Sequence, residues 1–498
     1  MKVRAAGVLV LVCLMAAAAG AQSVRGTLSG VVTDSSGARA VMPDARLTLV
    51  HTETNRTRTS ASGAEGGFQF TALPPGEYRL EVARDGFRTH VQTFTLQVNQ
   101  EIRIDVPLLP GNLAQQIEVS TSAVLLRTDA MAVGGVIANH HITNLPLNGR
   151  NFYELALLLP GTAPAAQGSA GSVRGDFAIT VNGGREESNV FLLDGVYNGD
   201  PKLNGFGVNP PVDAILEFEV LTHSYDATLG RNPGGQINVA TRSGANQFHG
   251  TFYEFFRNAA LDARNRFAPS GEPAPKYQRN QFGAALGGPL RRDRTFFFAD
   301  YEGRIAREGI TRISNVPTLA ERNGDFSQSL FPPPINPFDG MPFPGNMIPD
   351  FFQHPVGRAI AALYPEPNRS VPGQNFVASP TLRDNDHHFD VRVDHLLTQG
   401  SELMVRYSFA DRSLFEPYSG PTFAAVPGYG NDVPRRAQNL VVAHTHAFSP
   451  AVLNDVVSAL VQLGWRQVEA DKAVADFTVE EGVEFETLLK QALRSMPR

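Results

Sequence analysis

The stretch LPLNGRNFYELALLLPG, Leu145 to Gly161, decides how this chain is read. It opens with a turn cluster at Pro146, Asn148 and Gly149. The apolar run Leu155 to Leu159 then meets Pro160 and Gly161, which stop a helix. Val173-Arg174-Gly175 follows, then two apolar runs joined by Asn182-Gly183-Gly184 that read as a hairpin, then Asp194-Gly195. The segment closes on GGQINVATRSG, Gly234 to Gly244.

In that order and spacing these pieces resemble the plug domain of TonB-dependent outer-membrane transporters, in the Oar-like branch that carries LPLNGRNF. The resemblance covers residues 128–244 and makes Asn148, Gly149, Arg150, Asn151, Phe152, Arg174, Gly175, Asp194 and Gly195 the plug motif. It implies a stopper inside a membrane barrel, TonB as a periplasmic partner, and an unidentified large substrate. Glycines then serve tight turns, while arginines and aspartates make buried pairs between plug and wall. A catalytic reading requires convergent carboxylates, histidines, or a nucleophile with its base, and no such constellation is visible. His140 and His141 are adjacent and, on a strand, would face opposite ways, the wrong arrangement for one metal. No enzyme, cofactor or metal is expected.

A length of 498 residues suits about three domains. With 46 Gly, 35 Pro and 18% charged residues, the chain favours turns and strands over long helices. A net charge of -6 gives no reason to expect a nucleic-acid partner.

Upstream, Lys2 and Arg4 precede an apolar run, Gly7 to Ala18, too short to span a bilayer, and Ala19-Gly20-Ala21 fits a signal cleavage site, so residues 1–21 are expected to be removed. Cys13 lies in that segment, which leaves the exported product without thiol chemistry. Across 23–110, period-two runs such as Leu47/Leu49, Phe68/Phe70 and Tyr78/Leu80/Val82 alternate with turn clusters, the pattern of a β-sandwich. Gly30 to Asp34, Gly67 to Phe70 and Leu73 to Tyr78 resemble a carboxypeptidase regulatory-like domain, one often grouped with carbohydrate-binding folds. Only that analogy supports a glycan site. The linker 111–127 holds Ile117, Glu118, Val119, Ser120 and Thr121, which read either as a TonB box that pairs by strand addition or as a plain linker strand.

Downstream, 245–454 carries aromatic, amphipathic runs that read as transmembrane strands, with outer-membrane lipid around them. A proline-rich stretch from Asn315 to Pro380 reads as an extracellular loop. Asp384, Asp386, His387, His388 and Asp390 are read as a strand entrance facing alternately in and out, not a metal site. About six such strands are countable, against about 22 in a transporter barrel, so the barrel is expected to be incomplete.

Residues 455–498 then show helical stripes, among them Phe485, Leu488, Leu489, Ala492, Leu493 and Met496, and resemble the C-terminal domain of RuvA. RuvB would be a partner only if that tail were cytoplasmic. The expected fold is therefore mainly β with a small α tail: an N-terminal β-sandwich, an α+β plug, an incomplete transmembrane β-barrel and a C-terminal three-helix bundle. A receptor fragment in the cell outer membrane, not transport-competent alone, is the first functional reading. A secreted non-enzymatic binding module, or a chimeric reading frame with a RuvB-docking tail, is the alternative.

Overall fold

The computed structural model describes residues 25–35, 40–111, 116–120, 132–166, 178–200, 205–225, 229, 232–263, 276–418 and 426–446. The expected signal segment, Thr121, Arg174, Gly175 and the tail 455–498 lie outside them.

Alternating burial in the first unit produces two facing sheets. One has the order β4-β1-β7, with β1 (Gly26–Asp34), β4 (Gly67–Leu73), β7 (Glu101–Arg103) and, also beside β1, β8 (Val106–Leu108). The other runs β3-β2-β5-β6-β9: β2 (Arg46–His51), β3 (Arg56–Ala61), β5 (Gly76–Ala83), β6 (Thr89–Leu96) and β9 (Gln116–Ser120). The core between them includes Leu28, Leu47, Phe70, Leu80 and Ile104. Tyr78 stacks on Phe94 with ring centroids 5.7 Å apart and donates its hydroxyl to the Pro74 carbonyl. Gly30 is required by close approach, since a Cβ there would lie 1.9 Å from the Ile104 carbonyl oxygen.

The middle unit is one five-stranded sheet, β10-β15-β16-β13-β14, made of β10 (Val133–Ala138), β13 (Val190–Leu193), β14 (Val196–Tyr197), β15 (Ile215–His223) and β16 (Gln236–Thr241). β13 and β16 are parallel. A short helix, Asn139–Asn144, and a 3-10 turn, Phe152–Leu158, supply Ile142, Phe152 and Leu155 to its core with Phe218, Val220 and Val239. The expected hairpin about Asn182 is not formed. β12 (Ile179–Val181) pairs instead with β11 (Thr162–Pro164), and the turn at Asn182 and Gly183, both at positive φ, leads toward β13. Pairing of β13 with β16 takes the edge that a hairpin would have used. His140 and His141 sit on the short helix rather than a strand, with ring centroids 3.8 Å apart.

Six long antiparallel strands form the third unit: β17 (His249–Asn258), β18 (Tyr277–Arg291), β19 (Thr295–Gly309), β22 (Thr381–Thr398), β23 (Ser401–Glu416) and β24 (Asn431–His446), in that order. Its polarity is reversed relative to a soluble sheet. Phe252, Phe256, Leu286, Tyr301, Leu440 and Val442 are exposed on one face, while Asp300, Glu302, His388, Asp390 and Arg406 are buried on the other. Apolar side chains outside and charged ones inside are the alternation of a membrane barrel strand. Between β19 and β22 the chain makes an excursion with a two-stranded piece, β20 (Arg312–Ser314) with β21 (Phe376–Ala378), and the helix Pro355–Ala362. Short turns join the strands at the opposite end.

The first unit docks at that short-turn end. Arg25 and Arg56 both donate to Glu402 Oε2 of β23, at 2.7 and 2.5 Å. Asn99 donates to Glu219 of the middle unit at 2.7 Å.

Gly30→Ala should lower the stability of the first unit by about 1–3 kcal/mol through overpacking. Gly67→Ala, where nothing lies within 4 Å of the added Cβ, should be near neutral. Urea titration of the full chain, followed by tyrosine fluorescence, separates the two.

Candidate functional site

Charged groups converge where the middle unit meets the buried face of the six-stranded sheet. Asp194 and Gly195 occupy the two-residue turn between β13 and β14, with φ of 51° and 78°. Positive φ at both positions is the mirror-image turn that closes tight hairpins, which explains the Asp-Gly pair. The turn pushes the Asp194 carboxylate into the sheet. Oδ1 accepts the Thr241 amide at 2.9 Å, and Oδ2 accepts the Thr241 hydroxyl at 2.8 Å and Arg406 Nε at 2.6 Å. Arg392 reaches Oδ1 at 3.5 Å and clasps Asp394 with two bonds of 2.9 Å. Arg406 is fully buried, donates a further bond to the Leu193 carbonyl at 3.2 Å, and contacts Ser408, which in turn donates to Asp390.

The NGRNF motif builds a second contact. Gly149 and Arg150 both take positive φ, and the Arg150 side chain bridges Asp213 of its own unit and the charged face of the sheet. Its guanidinium pairs with Asp213, approaches Glu302 at 3.6 Å, and lies 4.4 Å from the Tyr253 ring centroid and 4.8 Å from that of Phe255. Such cation–π contacts strengthen when water is excluded. Glu302 accepts from Tyr253 at 2.6 Å and Gln281 at 2.9 Å, with His388 Nε2 at 3.3 Å. Asn148 opens the turn; the Asn151 side chain accepts the Tyr153 amide, and Phe152 points back into the core against Phe218. One motif thus serves the core with Phe152 and the interface with Arg150.

Ile117 to Ser120 lie on β9, paired in parallel with β6 at the end of its sheet. The acidic cluster near Asp384 is arranged differently from the expectation. Asp384, Asp386, His388 and Asp390 fall at every second position inside β22, so they share a face. Arg304 and Arg412 are ion-paired with Asp384. Period-two spacing dictates this, and it makes the segment part of the strand rather than its entrance. Among the described residues no group of three or more such side chains is placed to hold a metal.

Sequence reasoning missed Arg392, Arg406, Asp213, Glu302 and Glu402. Charges at alternate positions from Asp384 to Asp394 were the available signal. One group stands apart: Asp300 faces Asp390 across β19 and β22, and neither of its oxygens has a hydrogen-bond donor in good geometry.

Burial alone would raise the Asp194 pKa, but the Arg392 and Arg406 charges and the Thr241 bonds outweigh it and hold the carboxyl below its ordinary 3.8. A carboxyl depressed in the fold contributes stability that is full above its open-chain value and disappears as pH falls through the folded one. Stability should therefore decline on acidification below pH 3.8. In Asp194→Asn the chain should be weaker at neutral pH and show a shallower acid decline, read from urea midpoints along a pH series.

Removing one partner of a buried pair leaves an uncompensated charge, so Arg406→Ala should cost about 3–5 kcal/mol. Asp300→Asn replaces a carboxyl that has no donor to lose and should stay within about 1 kcal/mol of the parent. Denaturant midpoints of the two variants, measured in detergent, should differ accordingly.

Residues 240–495 match the family model described as outer membrane beta barrel domain, and residues 27–109 match the carboxypeptidase regulatory-like domain. The barrel match runs through the stretch whose periodicity reads as a helical tail, so the comparisons give that tail no assignment of its own. The TonB-dependent transporter Oar of Myxococcus xanthus is 29% identical over 332 residues, covering 63% of this chain and 30% of its own length. Among solved structures, the outer membrane transporter YddB from Escherichia coli aligns with 64% of this chain and 38% of its own at 12% identity and a TM-score of 0.42. The siderophore receptor PirA from Acinetobacter baumannii aligns with 62% of this chain and 44% of its own at 16% identity and a TM-score of 0.30.

Proposed function

Because this chain belongs to the outer membrane β-barrel domain family and is placed in the cell outer membrane, we propose that it forms part of a TonB-dependent receptor for energised uptake of a large substrate. The chain spans about a third of its curated relative, 30% of that length, and in this reading it contributes the regulatory-like sandwich, the plug and part of the barrel wall. The middle unit is the plug.

The observation that carries this is the seating of Asp194 on Arg406 and of Arg150 beside Glu302 and Tyr253, on the charged face of a sheet whose other face is apolar. An interface of ion pairs and hydrogen bonds suits a body that must hold and then shift. Buried ion pairs roughly break even against their hydration, so water entering the interface can replace them at little net cost. An apolar interface would resist the same step in proportion to its area. Arg174, Gly175, Asn148, Gly149, Asn151, Phe152 and Gly195 belong to the same plug motif in this reading.

TonB is assigned to Ile117, Glu118, Val119, Ser120 and Thr121. Strand addition asks mainly for an extended main chain, and β9 ends its sheet among the described residues. An unsatisfied strand edge facing hydrocarbon costs several kcal/mol per group, so β17 and β24 require further strands beside them in a membrane. The six strands act as an arc of wall.

A photo-crosslinking residue at Val119 tests the partner, and outer-membrane fractionation with heat-modifiable migration tests the wall. Capture of TonB by a membrane-fractionated, heat-modifiable chain is the expected outcome. A soluble periplasmic product whose crosslinks are unchanged by TonB depletion would instead mark a secreted binding module.

A further inference from the structure

The two short turns at the sandwich end of the sheet frame an open recess of about 320 Å³, lined by Arg291, Arg292, Asp293, Arg294, Leu396 and Leu397 among others. We infer that this recess binds the phosphate of an anionic phospholipid headgroup from the adjoining leaflet. Three arginines in four residues concentrate positive charge there. Asp293, the one carboxylate of the turn, is already engaged elsewhere: it accepts from Asn55 at 3.0 Å and from Asn246 at 2.8 Å. Arg294 spends its Nε on the Leu396 carbonyl, at 3.3 Å. Arg291 and Arg292 are exposed, and among the described residues neither is ion-paired.

The surroundings select the source of the phosphate. Exposed Leu290, Leu397 and Phe248 flank the recess, with Phe248 packed on Phe297 at 6.3 Å between ring centroids. They continue the apolar outer face of the sheet, so the recess lies where hydrocarbon gives way to headgroups. Guanidinium forks match phosphate oxygens in pairs, and arginines near a membrane surface gain from an anionic leaflet. A free anion would use the guanidiniums but leave the apolar collar against water. A lipid satisfies both. The inference rests on the outer-membrane placement and not on plug movement or TonB.

Native mass spectrometry of the full chain in neutral detergent, with added phosphatidylglycerol or phosphatidylcholine, tests it. Retention of phosphatidylglycerol should exceed that of phosphatidylcholine by about tenfold, and Arg291→Gln/Arg292→Gln should abolish the difference. Arg436→Gln, whose side chain pairs with Asp411 toward the other end of the sheet, should leave it intact. Equal retention of both lipids by the parent chain would overturn the assignment. So would a preference that survives the double substitution, or full displacement by millimolar inorganic phosphate.

Discussion

Two arginines side by side on a buried surface are the constraint on which this structure depends. Arg392 and Arg406 are direct partners across β22 and β23, both turned to the charged face. Like charges opposite each other repel, and inside a protein little water screens them. An anion between them removes the difficulty, and the middle unit delivers one on the Asp-Gly turn. Sheet and middle unit are therefore incomplete without each other. The same demand fixes register, because a slip of one residue in either strand would swing its arginine to the apolar face.

The remaining contacts follow the same logic. Arg150 enters among Asp213, Glu302 and two aromatic rings, and Glu402 receives two arginines from the sandwich. The sandwich and the middle unit each keep an apolar core and meet the sheet mainly through charge, with a small apolar contact of Ala214 on Ala285 and Phe298. The cores around Leu47 and Phe218 give each unit stability of its own, whereas the joints specify orientation more than they add strength.

Much of the architecture was legible because it follows period-two patterning. Phe68/Phe70 and Tyr78/Leu80/Val82 announce the sandwich. The rest is hidden where strand pairing is nonlocal or where a partner sits in ordinary strand sequence. Asn182-Gly183 resembles a hairpin turn, yet β12 returns to β11 and β13 finds β16, a parallel partner far along the chain. The charged run Asp384 to Asp390 suggests a strand entrance facing both ways, yet its spacing of two puts four of the five side chains on one face. At the interface, Asp194 and Arg150 could be picked out by their turn glycines. Their partners Arg406 and Glu302 sit in ordinary strand sequence, and only tertiary placement distinguishes them.

The long excursion between β19 and β22 bears on how the sheet is made. Among the described residues each long strand of the sheet is hydrogen-bonded to the next long strand along the chain, β19 to β22 included, so the excursion leaves the ladder unbroken. The entropy of closing a loop grows only with the logarithm of its length, about 0.6 kcal/mol for each doubling. Natural variation can therefore lengthen, shorten or redecorate that insertion while the hairpins on either side zip together as before, which separates evolvability of the outer excursion from foldability of the wall.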